Sequence, residues 1–503
     1  MRKLKYYTNG IWQDSVTQKY MDVTNSSTGE IIAKAPCCTK EEVVEAIISA
    51  DKAFSSWAAL PITKRIQVIY KFRDLVKENL EELATLIATE QGKALREARG
   101  EVTSAIGDIE FACGTPWLSQ GEFSYGVSRE HDLFRIAEPV GVFAEIAPSN
   151  FPAMIPFGWT IPLCIALGNT VVLKAASAVP LTAVRMIELL EEAGLPAGVV
   201  NMVTCSRTEA EVVMTDERVR GVSYVGSSAV GKHIYEVSAA HGKRVQVMGA
   251  AKNHAIVLKD ANLPVVADRI IASAFGAAGQ RCQALSVVCV ENAVADELIS
   301  LLVDKAKQLK IGPAYKECTT LGALTTKGLQ EKVLDYIKKG IEQGAKLVLD
   351  GRSVELEESI KDGNFVGATI FDDVSEDNVI GIEEIFGPVL SIKRITSFDE
   401  GVAIINKSEF ANGAVLFSNN GYYMRRFVSE ADAGSIGINV GIPAVQPGFP
   451  FSGHKKSFFG DLHAKGRDGI AFFTESKCVT VNWIDAEDKG GVTNSKIISC
   501  SGN

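Results

Sequence analysis

The sequence predicts an α/β protein: a doubly wound parallel-sheet domain, a second α/β domain and a small β flap. Three observations predict it. Short apolar runs at 140–146, 170–174, 199–203 and 219–225 have strand length and are rich in Val. Amphipathic segments of helical period lie between them, and regular strand–helix alternation marks parallel sheets. The second half repeats the style, with strands at 254–258 and 286–290 and helices at 265–276 and 296–309.

Taken in order, Thr39 with a Glu nearby caps a helix over 39–58. Residues 62–90 continue as one or two amphipathic helices. A turn and a helix join the first two strands. The helix over 181–193 stops at Gly194-Leu195-Pro196. A short helix spans 209–214, and Gly226-Ser227 ends the strand 219–225 and opens a helix. Residues 147–173 carry no charge and are long enough to mimic a membrane span. Pro148, Pro152, Pro156 and Pro162 oppose one regular helix there, so the stretch reads as a buried loop, helix and strand. Residues near 126–143 and 469–481 alternate as edge strands and form the flap. Edge strands seek partners, so a homodimer or homotetramer is expected. The expected organisation is a cofactor domain over 1–125 and 144–250 and a catalytic domain over 251–440. The flap and C-terminal segment take 126–143 and 441–485, and a flexible tail takes 486–503.

Length alone suggests about three domain-sized units. Hydrophobic residues at 46% and charged residues at 22% suit a globular chain with a real core. Lys and Arg total 52 against 61 Asp and Glu, a net charge of −9 with no basic block, which argues against nucleic acid as a partner. The basic N-terminus has no apolar segment after it, so no signal peptide is expected. The ten cysteines form no CxxC pair and suit free thiols in the cytoplasm. The six histidines show no ligand spacing, and no metal site is expected.

Gly276-Ala277-Ala278-Gly279-Gln280-Arg281-Cys282 carries the first chemical signal. Small neighbours let a substrate approach the sulfur, although a lone Cys is most often a packing residue. Ala147-Pro148-Ser149-Asn150-Phe151-Pro152 follows a strand and offers a side-chain amide. Glu384-Ile385-Phe386-Gly387-Pro388-Val389 precedes another strand. The turn at Gly226-Ser227, with Gly231 on the first helical turn, is not GxGxxG, yet a helix N-terminus suits a pyrophosphate.

The segments EPVGVFAEIAPSNFP, VSYVGSSAVG, AAGQRCQA and EEIFGPV, in this order, resemble the aldehyde dehydrogenase superfamily over about residues 5–483. MGAAKNHAIVLKDAN, INKSEFANGA and FPFSGHKKSFFGDLHAKGRDG resemble its methylmalonate- and malonate-semialdehyde dehydrogenases, which acylate coenzyme A. The resemblance implies Cys282 as nucleophile and the Asn150 amide, with the Cys282 N–H, as oxyanion donors. It implies NAD or NADP as cofactor and coenzyme A as co-substrate. Ala147, Ser149, Lys174, Ser177, Gly226, Ser227, Gly231, Gly249, Glu384 and Phe386 then fall to the cofactor, and Arg281 to the substrate's acid group.

Three departures from the family pattern stand out. Ser177 occupies the place of a Glu that binds the adenosine ribose, which resembles NADP-using members. Met248 replaces the Glu that activates water in hydrolytic members, and a thioether cannot accept a proton. Ser104 stands where the semialdehyde enzymes carry a second carboxylate-binding arginine; Arg99 is the candidate substitute. The expected activity is oxidation of a small acidic semialdehyde to an acyl-CoA. A coenzyme A-independent, NADP-using semialdehyde dehydrogenase and a non-catalytic protein of the same fold are the alternatives.

Overall fold

The computed structural model describes residues 1–128 and 130–483; the expected tail, 486–503, and Cys500 lie outside the described residues. Five parallel strands form the centre of an eight-stranded sheet, in the order Val200–Val203, Thr170–Lys174, Val142–Ile146, Val219–Val225 and Arg244–Met248. Tyr6–Thr8 and Phe458–Gly460 flank them antiparallel. Every residue of Val142–Ile146 is buried, as expected of a strand covered on both faces. From that strand the chain moves outward one way through 170 and 200, then the other way through 219 and 244. The reversal leaves a crevice beyond the carboxyl ends of Val142–Ile146 and Val219–Val225, where open α/β sheets bind ligands.

A seven-stranded sheet follows the same logic around Leu285–Glu291, Asn253–Val257 and Gly413–Phe417, all parallel. Local signals explain many boundaries. Thr39 and Glu42 form a reciprocal capping box on the helix Lys40–Ala58. Pro180–Glu192 ends with Gly194 at φ +87°, its amide bonding Glu191 O while the Leu195 amide bonds Leu190 O.

The uncharged stretch after Ile146 forms a loop, a π-helical turn at Ile155–Thr160, a short helix Ile161–Ala166 and the strand Thr170–Lys174. Among the described residues no helix is long and apolar enough to cross a membrane. A Cβ on Gly158 would lie 3.1 Å from Ala105 Cα, so this turn packs closely on the helix Leu95–Cys113.

The flap is a three-stranded antiparallel sheet of Glu122–Ser128, His131–Pro139 and Thr474–Asn482. The expected strand from 469 is corrected: Gly466–Phe472 is a helix, and the strand starts at Thr474. A Cβ on Gly469 would lie 2.9 Å from Leu163 Cδ2, so the helix sits against the core. The described part of the segment 441–485, residues 441–483, thus divides between the eight-stranded sheet, a two-stranded sheet of His454–Lys455 with Phe410–Ala411, this helix and the flap.

Candidate active site

The Cys282 loop starts where the helix Leu263–Ala274 ends. Ala277 and Ala278 hold left-handed backbone (φ 48° and 51°), which costs about 1–2 kcal/mol per non-glycine residue. Gly279, at φ +75°, is required: a Cβ there would lie 2.2 Å from Gly387 O, so this loop meets the Glu384–Val389 segment backbone to backbone. Side chains from distant elements hold the strained loop in place. Glu97 Oε2 accepts the Ala277 N–H at 2.7 Å. Gln280 Oε1 accepts from the Thr325 N–H (3.1 Å) and hydroxyl (2.8 Å). Asn253 Nδ2 donates to the carbonyls of Cys282 and Ala284, both at 2.9 Å, and Asn412 Nδ2 donates to the Cys282 carbonyl at 3.2 Å.

The Cys282 sulfur is half-buried beside an apolar cluster of Ile155, Trp159, Val225, Met248, Phe451 and Ala464. Burial pushes its thiol up to about 12, and Glu384 adds in the same direction. The N–H groups of Cys282 and Gln283 and the charge of Arg281 pull the other way. Two backbone donors thus lie close to the sulfur, where they favour the thiolate. Asn150 is buried next to it: Nδ2 donates to Gln280 O at 3.0 Å, leaving one amide hydrogen for another acceptor. The Asn150 carbonyl accepts from Lys93 Nζ at 2.6 Å. Lys93 also pairs with Glu101 at 2.6 Å, and Glu101 accepts the Ala153 and Met154 N–H groups at 2.9 and 3.2 Å. One buried ion pair thus clamps the whole Asn150 loop.

Ala147 and Ser149 follow the strand Val142–Ile146, and Gly226 and Ser227 follow its neighbour Val219–Val225, so all four border the crevice at the reversal. Ser227 heads the helix Ser228–Ala240 without a capping bond, which leaves first-turn N–H groups open for an anion. A Cβ on Gly226 would lie 2.2 Å from Tyr224 Oη. Gly231 is buried, and a Cβ there would lie 2.5 Å from Val247 Cγ1; its bareness seats the helix on the sheet. The Gly249 amide donates to Ser457 O at 2.8 Å. Lys174 and Ser177 lie at the end of the next strand outward, Lys174 beside Cys37 and Cys205; burial lowers its pKa and those thiols oppose the shift. Glu384 Oε1 accepts the Ala251 N–H at 2.8 Å, and burial raises its pKa. Phe386, at φ +62°, shares a small cleft with Glu384, Gly279 and Arg281.

On the other side of Cys282 lies a cavity of about 890 Å³ bordered by Ser104, Asp108, Trp159, Arg281 and Lys465. Arg281 Nη2 donates to Glu97 Oε1 at 2.6 Å and Nη1 to Ala272 O at 3.1 Å. Arg99 is no substitute for the missing arginine: it points away and binds Glu81 and Glu317 at the surface. Lys465 Nζ lies 2.8 Å from Asp108 Oδ1, both side chains buried. Burial holds Asp108 above the usual carboxylate range, partly offset by Lys465 and Trp159.

The structure brings Cys282, Asn150, Arg281, Glu384 and Phe386 together at one junction, with Ala147, Ser149, Gly226, Ser227 and Gly249 around the crevice. Lys174 and Ser177 stand farther out along the same sheet edge. Sequence reasoning missed Lys93, Glu101, Asn253, Gln280, Asp108 and Lys465. Asn253 lay inside a quoted motif, but nothing in the sequence showed that its amide reaches the Cys282 carbonyl.

Comparison with known proteins agrees with this geometry. The profile of the Aldehyde dehydrogenase family matches residues 12–479. The malonate-semialdehyde dehydrogenase 2 of Bacillus mycoides (strain KBAB4) is 44% identical over 96% of this chain and 99% of its own. A crystal structure of the methylmalonate-semialdehyde dehydrogenase of Oceanimonas doudoroffii superposes with a TM-score of 0.94 at 37% identity, covering 97% of this chain and 99% of that one. A Sinorhizobium meliloti 1021 structure assigned to the same activity and complexed with NAD gives a TM-score of 0.95 at 36% identity, with the same coverage.

Proposed function

The chain belongs to the aldehyde dehydrogenase family, and from that premise we propose that it oxidises malonate or methylmalonate semialdehyde to an acyl-CoA through a thioester on Cys282. Cys282 Sγ adds to the aldehyde carbon, and the oxyanion takes the free Asn150 amide hydrogen and the Cys282 N–H. NAD(P), when bound, supplies the hydride acceptor. The crevice fits such a cofactor, because Ser227 makes no side-chain capping bond and leaves the helix N-terminus open. Glu384 and Phe386 would border its nicotinamide end, and Lys174 and Ser177 its ribose; the hydroxyl at 177 suits NADP as well as NAD. Overall, the semialdehyde carboxylate, coenzyme A thiol and NAD(P)⁺ give acyl-CoA, CO₂ and NAD(P)H, the proton released in the oxidation being taken up at the carbon that loses CO₂.

The observation that carries the coenzyme A step is Met248. It is 2% exposed and packs in the apolar cluster beside Cys282, at the place where a hydrolytic enzyme needs a base. A thiolate attacks a thioester without such a base, and water does not. The relatives above carry malonate- and methylmalonate-semialdehyde dehydrogenase names, which supports the substrate class. A second reading, a coenzyme A-independent NADP enzyme, draws on Ser177 and on Glu384, a carboxylate whose charge is felt at the Cys282 thiol.

Rapid mixing without coenzyme A should give a burst of one NAD(P)H per active site and then slow turnover. Added coenzyme A should raise the steady rate and yield an acyl-CoA by mass spectrometry. Free acid formed at full rate without coenzyme A would sink the acylating reading and promote the second. Cys282→Ala should lower turnover more than about a thousandfold.

The flap supports self-association. Glu122–Ser128 is exposed throughout, with Phe123 and Tyr125 at 64% and 85%, as an edge strand awaiting another copy would be. A homodimer or homotetramer in the cytoplasm fits this edge and the nine unpaired thiols among the described residues. The eight-stranded sheet would serve as the cofactor domain and the seven-stranded sheet as the catalytic domain.

A further inference from the structure

We propose that Lys465 holds the acid group of the substrate, in place of the arginine that position 104 lacks. The inference rests on the acidic-semialdehyde reading above and names the residue that would select for it.

Position comes first. Residues 100, 104 and 108 lie four apart on the helix Leu95–Cys113, and all three border the cavity that ends at Cys282. Ser104 offers only a hydroxyl. One turn further, about 6 Å along the axis, Asp108 carries the Lys465 ammonium at 2.8 Å. The cavity's buried cation has moved by one helical turn.

Unmade bonds come second. An ammonium has three donors. Lys465 Nζ makes its ion pair with Asp108, and among the described residues no other hydrogen-bond partner of the ammonium is found. The Trp159 ring lies 5.2 Å from Lys465 Nζ, and its indole N–H is turned to Asp108. Lys465 Nζ thus keeps N–H donors open in the cavity wall, and because buried donors left open are costly and rare, that wall suits an oxygen-rich ligand. Arg281 differs, because Glu97 and Ala272 already occupy its guanidinium.

The backbone is the third observation. Lys465 sits at φ 72°, ψ 174°, a region that belongs to glycine. A lysine kept there, when a glycine would relax the chain, marks a side chain that the site uses. Asp108 cancels the formal charge of the ammonium, so a singly charged carboxylate, met by the remaining N–H donors, fits better than a dianion.

The test compares malonate semialdehyde with butanal, an uncharged aldehyde of similar length, at saturating cofactor and coenzyme A. Lys465→Met strands Asp108, so the double variant D108N/K465M accompanies it to remove both charges. In both, the preference for the semialdehyde, read as the ratio of kcat/KM values, should fall about 10- to 100-fold, chiefly through its KM, as loss of a hydrogen bond to a charged group predicts. Lys465→Arg should restore most of the preference. A folded double variant that keeps the wild-type preference within twofold overturns the anchor alone. A wild-type enzyme indifferent to the carboxylate overturns the acid-substrate reading, and the anchor with it.

Discussion

The pairs Lys93–Glu101 and Lys465–Asp108 both involve the helix Leu95–Cys113, both are buried, and they are finished to different degrees. In the first, Glu101 accepts from Lys93 and two backbone N–H groups, while Lys93 also reaches the Asn150 carbonyl and lies over the Phe151 ring at 3.8 Å. In the second, Asp108 has Lys465 and the Trp159 indole, while Lys465 Nζ has Asp108 as its one charged partner. A buried ion pair is weak evidence for stability by itself. The bonds around it carry the information: a saturated pair is scaffold, and an unsaturated pair in a cavity wall is a place for a ligand.

Breaking the saturated pair should have the largest effect. Lys93→Met leaves Glu101 buried without its cation, which costs about 3–5 kcal/mol. It also frees the Asn150 loop, so kcat should fall about 10²–10³-fold, the size expected when an oxyanion donor is misplaced. Chemical unfolding and steady-state rates read the two effects separately. A K93M protein that unfolds early but keeps full kcat would show that the pair supports the fold without positioning Asn150.

The same stability measurement on D108N/K465M sharpens the contrast. Replacing both members of a buried pair is often neutral or stabilising, so this variant should unfold within about 1–2 kcal/mol of wild type. A loss as large as that of K93M would place both pairs in the scaffold and remove the ground for a ligand-binding role.

The chemistry of the reacting end was legible in the sequence because it sits in short contiguous segments. Cys282, Asn150 and Glu384 lie inside motifs that can be read locally, and the strands that carry them are apolar runs buried on both faces. The supporting bonds were not legible. Asn253 to Cys282, Glu97 to Ala277 and Lys465 to Asp108 join residues distant in the chain, and no periodicity reports which lysine meets which carboxylate. The helix Gly466–Phe472 was misread as strand because seven residues barely show a helical period. Ser104 was legible as a loss, but its replacement was not, since Lys465 comes from the far end of the chain.

A third buried carboxylate extends the comparison to zero cations. Glu145 lies in the central strand Val142–Ile146, and its Oε1 has no hydrogen-bond partner. Burial pushes its pKa up to about 8, offset only in part by the hydroxyls of Ser223 and Thr160. Its folded value lies above its ordinary value of 4.5, so the fold prefers the protonated form. The stability this contributes is complete below pH 4.5 and is lost as pH rises through 8. Glu145→Gln keeps the shape and removes the titration. Wild type should therefore lose stability relative to E145Q between pH 5 and pH 9, as a gap in Tm that widens by roughly a few degrees. Glu90 and Lys252, both shifted to about 7, titrate in the same window but do so in both proteins, so the difference isolates Glu145. A gap that stays constant with pH would mean that water or a neighbour stabilises the charged carboxylate. A gap that narrows would mean that Glu145 is ionised in the fold and has found the cation that Glu101 and Asp108 each have.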